Sequence, residues 1–138
     1  MRKIKYRAKS LDTGEWVYGY YYNQPDGLKD EIRHIIVYQN KGAGLQTIHE
    51  PIDINTLGQC IGLRDENDKY LYEGDIVVQE TCDDLYYLVE FKKDCAKYSM
   101  KNLRKTPMLW ESRYREMFDR CCEIVGNIYD NYELLEEM

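Results

Sequence analysis

The segment spanning residues 58–77, Gly-Gln-Cys-Ile-Gly-Leu-Arg-Asp-Glu-Asn-Asp-Lys-Tyr-Leu-Tyr-Glu-Gly-Asp-Ile-Val, constrains the fold more than any other part of the chain. A polar turn cluster, Asp65 to Asp68, separates two β-prone runs, and a third run starts at Asp75-Ile76-Val77. Two tight reversals in so short a stretch call for small, strongly curved antiparallel sheets rather than the parallel scaffold of many enzymes. The segment carries no recognisable catalytic grouping.

The same alternation organises the rest of the chain. Residues 3–9 interleave charge with Ile4, Tyr6 and Ala8, the pattern of a half-buried strand. Asp12-Thr13-Gly14 is a turn and residues 15–22 a second strand, making a hairpin. Residues 23–27 are expected to end that strand, because Pro25 cannot donate to a ladder. Residues 32–38 form a strand around Ile35-Ile36-Val37; a loop at 40–44 and an extended stretch at 46–50 follow. Residues 75–80 and 85–93 make a hairpin, and residues 97–103 a short strand. The period then changes. Leu109, Trp110, Tyr114, Met117, Phe118 and Cys121 recur at three and four, predicting one short amphipathic helix over 108–119, with Pro107 at its first position. Residues 123–129 return to β with Gly126 as a bulge or close approach, and the acidic residues 133–138 are expected to form a single helical turn.

At 138 residues and 43% apolar content the chain suits one domain with one modest core. No apolar run approaches the roughly 20 residues that span a bilayer, and the basic N-terminus lacks the apolar region of a signal peptide. A cytoplasmic, reducing location is therefore expected. The five cysteines, Cys60, Cys82, Cys95, Cys121 and Cys122, are odd in number and irregularly spaced, which implies no disulfide framework. The net charge of −6 is segregated: residues 1–10 hold five basic and no acidic groups, and residues 123–138 five acidic and no basic ones. Overall acidity disfavours nucleic acid as a partner, because each phosphate contact works against the protein's own field.

Candidate chemistry is sparse. Asp65-Glu66-Asn67-Asp68-Lys69 begins like a calcium loop, but Lys69 takes a ligand position and no Glu closes the loop, so a hairpin turn is expected. No Cys-x-x-Cys pair exists to hold a metal, and Gly42-Ala43-Gly44 lacks the ending of a phosphate loop. A Cys–His pair built on His34 or His49 could form only through the fold, and half-exposed strand histidines are the expectation. No catalytic residue, cofactor or metal ligand is assigned. The binding signal is aromatic: fourteen Tyr stand against two Phe and two Trp. Trp16, Tyr18, Tyr20 and Tyr22 share one face of a strand and Tyr21 takes the other. That ladder can stack nucleic-acid bases, with Arg2, Lys3, Lys5, Arg7 and Lys9 supplying charge. It can also be the core face, packed cross-strand, which is the preferred reading. The basic residues Lys101, Arg104, Lys105, Arg113 and Arg115 read as a solvated face.

Four blocks then occur in order. They are Tyr6-Arg7-Ala8-Lys9 with Asp12 and Gly14-Glu15-Trp16-Val17-Tyr18-Gly19; Thr56-Leu57-Gly58-Gln59 with Gly62-Leu63 and Asp65; Tyr72-Glu73-Gly74-Asp75-Ile76-Val77; and Val125-Gly126-Asn127-Ile128-Tyr129-Asp130-Asn131 with Glu133-Leu134-Leu135. Together they resemble the YopX family of phage and prophage proteins over residues 4–136. Tyr132 stands where that family commonly has Pro. The resemblance implies a mainly β fold with an SH3-like barrel, a hairpin region at about 1–56 and a barrel-like region at about 57–138, within a bacterial cell. It supplies no catalytic residue. The expectation is a non-enzymatic accessory protein that binds a host or phage protein through the Trp16, Tyr18, Tyr20 and Tyr22 face or the Trp110, Tyr114 and Phe118 stripe. That stripe offers a route to a homo-oligomer. A single-stranded DNA or RNA binder using the Trp16 ladder is the alternative.

Overall fold

Period-two alternation rich in Tyr, Ile and Val is realised as antiparallel strands throughout. The computed structural model describes residues 5–28, 30–40, 42, 44–79, 85–93, 96–103 and 119–136. The strands are β1 (Tyr6–Lys9), β2 (Trp16–Asp26), β3 (Glu31–Asn40), β4 (Gln46–Pro51), β5 (Gly58–Arg64), β6 (Tyr70–Tyr72), β7 (Asp75–Gln79), β8 (Leu85–Lys92), β9 (Lys97–Asn102) and β10 (Glu123–Asn127). A 3-10 turn spans Ile54–Thr56, and a short helix α1 (Glu133–Glu136) ends the described chain where a helical turn is expected. Of the helix predicted over 108–119, residues 108–118 lie outside the described residues and Asp119 stands in a turn. No described helix is long and apolar enough to cross a membrane.

Two compact units are formed, Met1–Gln59 and Cys60–Met138. In the first, β1 pairs with β2 through Arg7↔Tyr18 and Lys9↔Trp16. Beyond Gly19, β2 pairs instead with β3, from Tyr20↔Val37 to Asp26↔Glu31, and β3 pairs with β4. Gly58 and Gln59 of β5 lie on the far side of β1. One face is buried: Ala8, Ile36 and Ile52 form its centre, with Tyr6, Val17, Tyr21, Tyr38 and Leu57 packed around them. Where β2 changes partner, Gly19 passes so close to β3 that a Cβ there would run into the carbonyl oxygen of Val37. Pro25 does not end β2 as expected. Among the described residues, no pairing beyond β3 is made at Pro25, so the N–H that Pro25 lacks is tolerated opposite Ile32.

In the second unit, β5 continues through Cys60↔Tyr72 and Arg64↔Tyr70 against β6, with the register shifting between them and Gly62 at a φ of 85°. A separate sheet runs in the open order β10-β7-β8-β9. Its core gathers Leu71, Val77, Tyr87, Val89, Met100 and Cys122, with Ile61, Leu63 and Ile124 against them. Gly126 is both bulge and close approach: the β7–β10 register shifts between Ile124 and Gly126, and a Cβ at 126 would lie 2.5 Å from Asn131 Oδ1. That oxygen accepts the Asn127 N–H at 3.1 Å, so the space is used.

The corner at Gly19 yields a direct test. Gly19→Ala forces the β2–β3 junction apart and should lower unfolding free energy by about 1–3 kcal/mol, the usual range for overpacking. Gly27→Ala, where a Cβ meets nothing within 4 Å, is the matched control and should leave stability nearly unchanged. Equal urea midpoints for the two variants would refute the close-approach account.

Candidate binding face

Residues opposite one another on paired strands share a face, so the register of β1 on β2 decides which side chains meet. Lys9 opposes Trp16 and Arg7 opposes Tyr18. Those side chains point away from the buried cluster, which takes Val17 and Tyr21 from the other face of β2. Tyr18 is 42% exposed and Tyr20 69% exposed. The preferred sequence reading of the ladder as the core face is therefore overturned. The inner positions are filled by Val17, Gly19 and Tyr21, and β3 comes too near at Gly19 for a row of large rings.

The cations of β1 and its lead-in lie over these rings. The Arg7 guanidinium carbon sits 4.7 Å from the Trp16 ring centroid, Lys9 Nζ 5.5 Å from the same centroid, and Lys5 Nζ 5.9 Å from that of Tyr18. All three lie within the reach of a cation–π contact. Arg7 is buried, at 5% exposure, whereas Lys5 and Lys9 are partly open to solvent. Tyr22, at the far end of the ladder, places its hydroxyl 3.0 Å from His49 Nδ1, with the rings edge to face. On the inner face, the Tyr21 hydroxyl lies 2.6 Å from His34 Nδ1 with the two rings nearly parallel. Each histidine thus holds a tyrosine in place.

Trp16, Tyr18, Tyr20 and Tyr22 are brought together on one surface. Trp110, Tyr114 and Phe118 lie outside the described residues, as do Arg2, Lys3, Arg104, Lys105, Arg113 and Arg115. Lys101 is exposed on β9. Sequence reasoning did not find the ring-over-cation pairing. Its signal was the Asp12-Thr13-Gly14 turn, which fixes the hairpin register and so sets Lys9 across from Trp16.

The second unit uses its candidate residues for structure. The Asp65 carboxylate is buried, with Oδ1 accepting the N–H groups of Asn67 at 2.9 Å and Lys69 at 2.8 Å, and Oδ2 accepting that of Ile124 at 3.3 Å. It is an anion held by backbone donors, the arrangement of a turn cap. Cys121 is exposed and Cys122 buried. Burial, with Asp65 adding to it, pushes the Cys122 thiol up to about 12. A thiol so placed is a poor nucleophile and packs as a small apolar group.

The geometry defines a mainly β protein with two antiparallel sheets and an outward aromatic–cation face. The chain belongs to the YopX family, whose sequence model, described as YopX protein, matches residues 5–136. Among solved structures, the crystal structure of protein EF1440 from Enterococcus faecalis is similar, with a TM-score of 0.58 at 18% identity, covering 98% of this chain and 99% of that one. At that identity the likeness speaks for the fold. No curated protein matches the chain.

The Cys122 thiol predicts a pH dependence. Unfolded, it ionises near 9.0, whereas in the fold it stays protonated up to about 12. The unfolded state therefore loses its proton first, and stability falls as pH rises from 9 toward 12, by about 1.4 kcal/mol per pH unit from this group. Cys122→Val removes the titration, so the variant should lose less stability than the parent between pH 8 and pH 10.5 in urea melts. Identical losses would show that the thiol is not responsible.

Proposed function

We propose that this protein is a non-enzymatic phage or prophage accessory protein that acts in the bacterial cytoplasm by binding, and that its contact surface is the outward face of β1 and β2. One observation carries the reading: Tyr18 and Tyr20 are exposed on the outer face of β2, and Lys5 lies over Tyr18 while Arg7 and Lys9 lie over half-buried Trp16. Tyr, Trp and Arg are the residues that dominate binding energy at protein interfaces, because they offer large contact area with few rotatable bonds. A host or phage protein is the partner this composition fits. Single-stranded nucleic acid is the second reading, favoured by the exposed Tyr20 ring on the strand whose Trp16 and Tyr18 rings meet Arg7, Lys9 and Lys5. The SH3-like barrel expected over residues 57–138 belongs to the same proposal, supported by the irregular β5–β6 register and the Gly126 bulge, both of which bend sheets.

A photo-crosslinking residue at position 20, introduced into the full chain in cells carrying the phage, tests the surface. The expected result is a discrete adduct with a host or phage protein, absent when the group is placed at Gly27 instead. An adduct only with a second copy would make the face a homo-oligomer interface. No adduct at position 20 from infection through lysis would sink the proposal.

A further inference from the structure

We infer that the open edge of β4 pairs with the same edge of a second copy of this chain. β4 is the last strand of its sheet, and among the described residues it is laddered to β3 alone. Its backbone groups point alternately to β3 and to the open side. The Ile52 N–H donates to the His34 carbonyl at 3.0 Å, so Glu50 and Ile48, at the same parity, aim theirs at β3. Thr47 and His49 aim theirs outward, and both residues are exposed. Among the described residues, no backbone group outside that ladder bonds to either. Edges that stay single are commonly guarded by Lys, Pro or a bulge. Residues 45–49, Leu-Gln-Thr-Ile-His, contain no Lys, Arg, carboxylate or Pro, and the β3–β4 register runs without a shift.

What closes the two ends of this edge sets the register. The Pro51 carbonyl already accepts the Leu11 N–H at 3.0 Å, so the place beside Pro51 is taken. A two-fold antiparallel pairing centred on Ile48 or His49 puts Leu45 or Thr47 of the second copy in that place and is excluded. A pairing centred on Thr47 stops short of it, because Gly44, at a φ of 101°, bends the chain just ahead of Leu45. Thr47 then faces Thr47, and Leu45 faces His49 of the second copy at both ends. Each opposed pair can exchange two backbone hydrogen bonds. Threonines opposite each other pair well, no like charges meet, and Leu45, 79% exposed in the single chain, gains cover. The window from Leu45 to His49 thus complements itself, as a two-fold interface requires.

Sedimentation equilibrium of the full chain from about 10 μM to about 1 mM tests this, with a thiol reductant present because Cys121 is exposed. The mass should rise from 16.6 kDa toward twice that value. So short an edge buries far less than the roughly 1,200 Å² of a stable interface, so the dimer is reversible and forms in the upper part of the range. Thr47→Pro removes the outward N–H and leaves the β3 ladder its bonds, and Thr47→Lys sets two cations opposite each other. Either should weaken dimerisation roughly tenfold, and Thr47→Lys decides alone where the proline variant unfolds. Gln24→Lys, the same charge change on an exposed β2 position, should stay within about twofold of the parent. A mass of 16.6 kDa throughout would overturn the inference and return the edge to a strand of another polypeptide. A dimer indifferent to both Thr47 variants would also overturn it. Loss of the dimer in Thr47→Lys with the position-20 adduct retained would separate this edge from the binding face proposed above.

Discussion

The approach of β2 to β3 at Gly19 is the constraint on which the first unit depends. The strand carries aromatics at 16, 18, 20, 21 and 22, more than one thin sheet can bury on a single side. Because the Gly19 backbone lies against the Val37 carbonyl, the inner face has room for Val17, the bare Gly19 and the Tyr21 ring. Period two then leaves the other four rings no choice but the outer face. Their outward placement, with Tyr18 and Tyr20 exposed and Trp16 and Tyr22 half-buried, follows from packing at one glycine. The hairpin register next sets Lys9 and Arg7 opposite Trp16 and Tyr18, and the long apolar stems of these cations cover ring surface that would otherwise meet water.

The second unit is held by a polar device. Buried Asp65 collects three backbone N–H groups, two from its own turn and one from β10. The same turn is tied to the chain ahead of β10 by the Glu66 N–H donating to the Cys122 carbonyl and the Arg120 N–H donating to the Arg64 carbonyl, each at 2.7 Å. A desolvated carboxylate is costly unless its lone pairs are met, and charge-assisted bonds to backbone amides meet them. The negative charge that organises this junction also helps keep the Cys122 thiol protonated. Structure and reactivity there have one source.

Much of this was legible in the sequence because it is local. The turn at Asp12-Thr13-Gly14, the β5–β6 reversal around Asp65, the bulge at Gly126 and the closing turn at Glu133–Glu136 each depend on residues within a few positions of one another. What was not legible is non-local. Alternation says which side chains share a face and never which face is buried, so the aromatic ladder could be assigned to the wrong side. The deciding contact joins Gly19 to Val37, eighteen positions along the chain. Pro25 is the same case: whether proline ends a strand depends on how many partners the strand has there, which the sequence of β2 alone does not contain.

The ring-held cations link this packing to the binding role proposed above. A lysine or arginine free in solvent carries about 2 kcal/mol of rotamer entropy, much of which is lost when a ligand fixes it. On β1 part of that loss is taken during folding, because Arg7 and Lys9 already rest on Trp16 and Lys5 on Tyr18. Under the binding role proposed above, a partner would meet charges already set at strand spacing, and less of the contact energy would be spent on ordering them. The same contacts lower the value of the rings as stacking platforms. The outward placement of these rings, and of the cations that rest on them, descends from the close approach of β2 to β3 at Gly19.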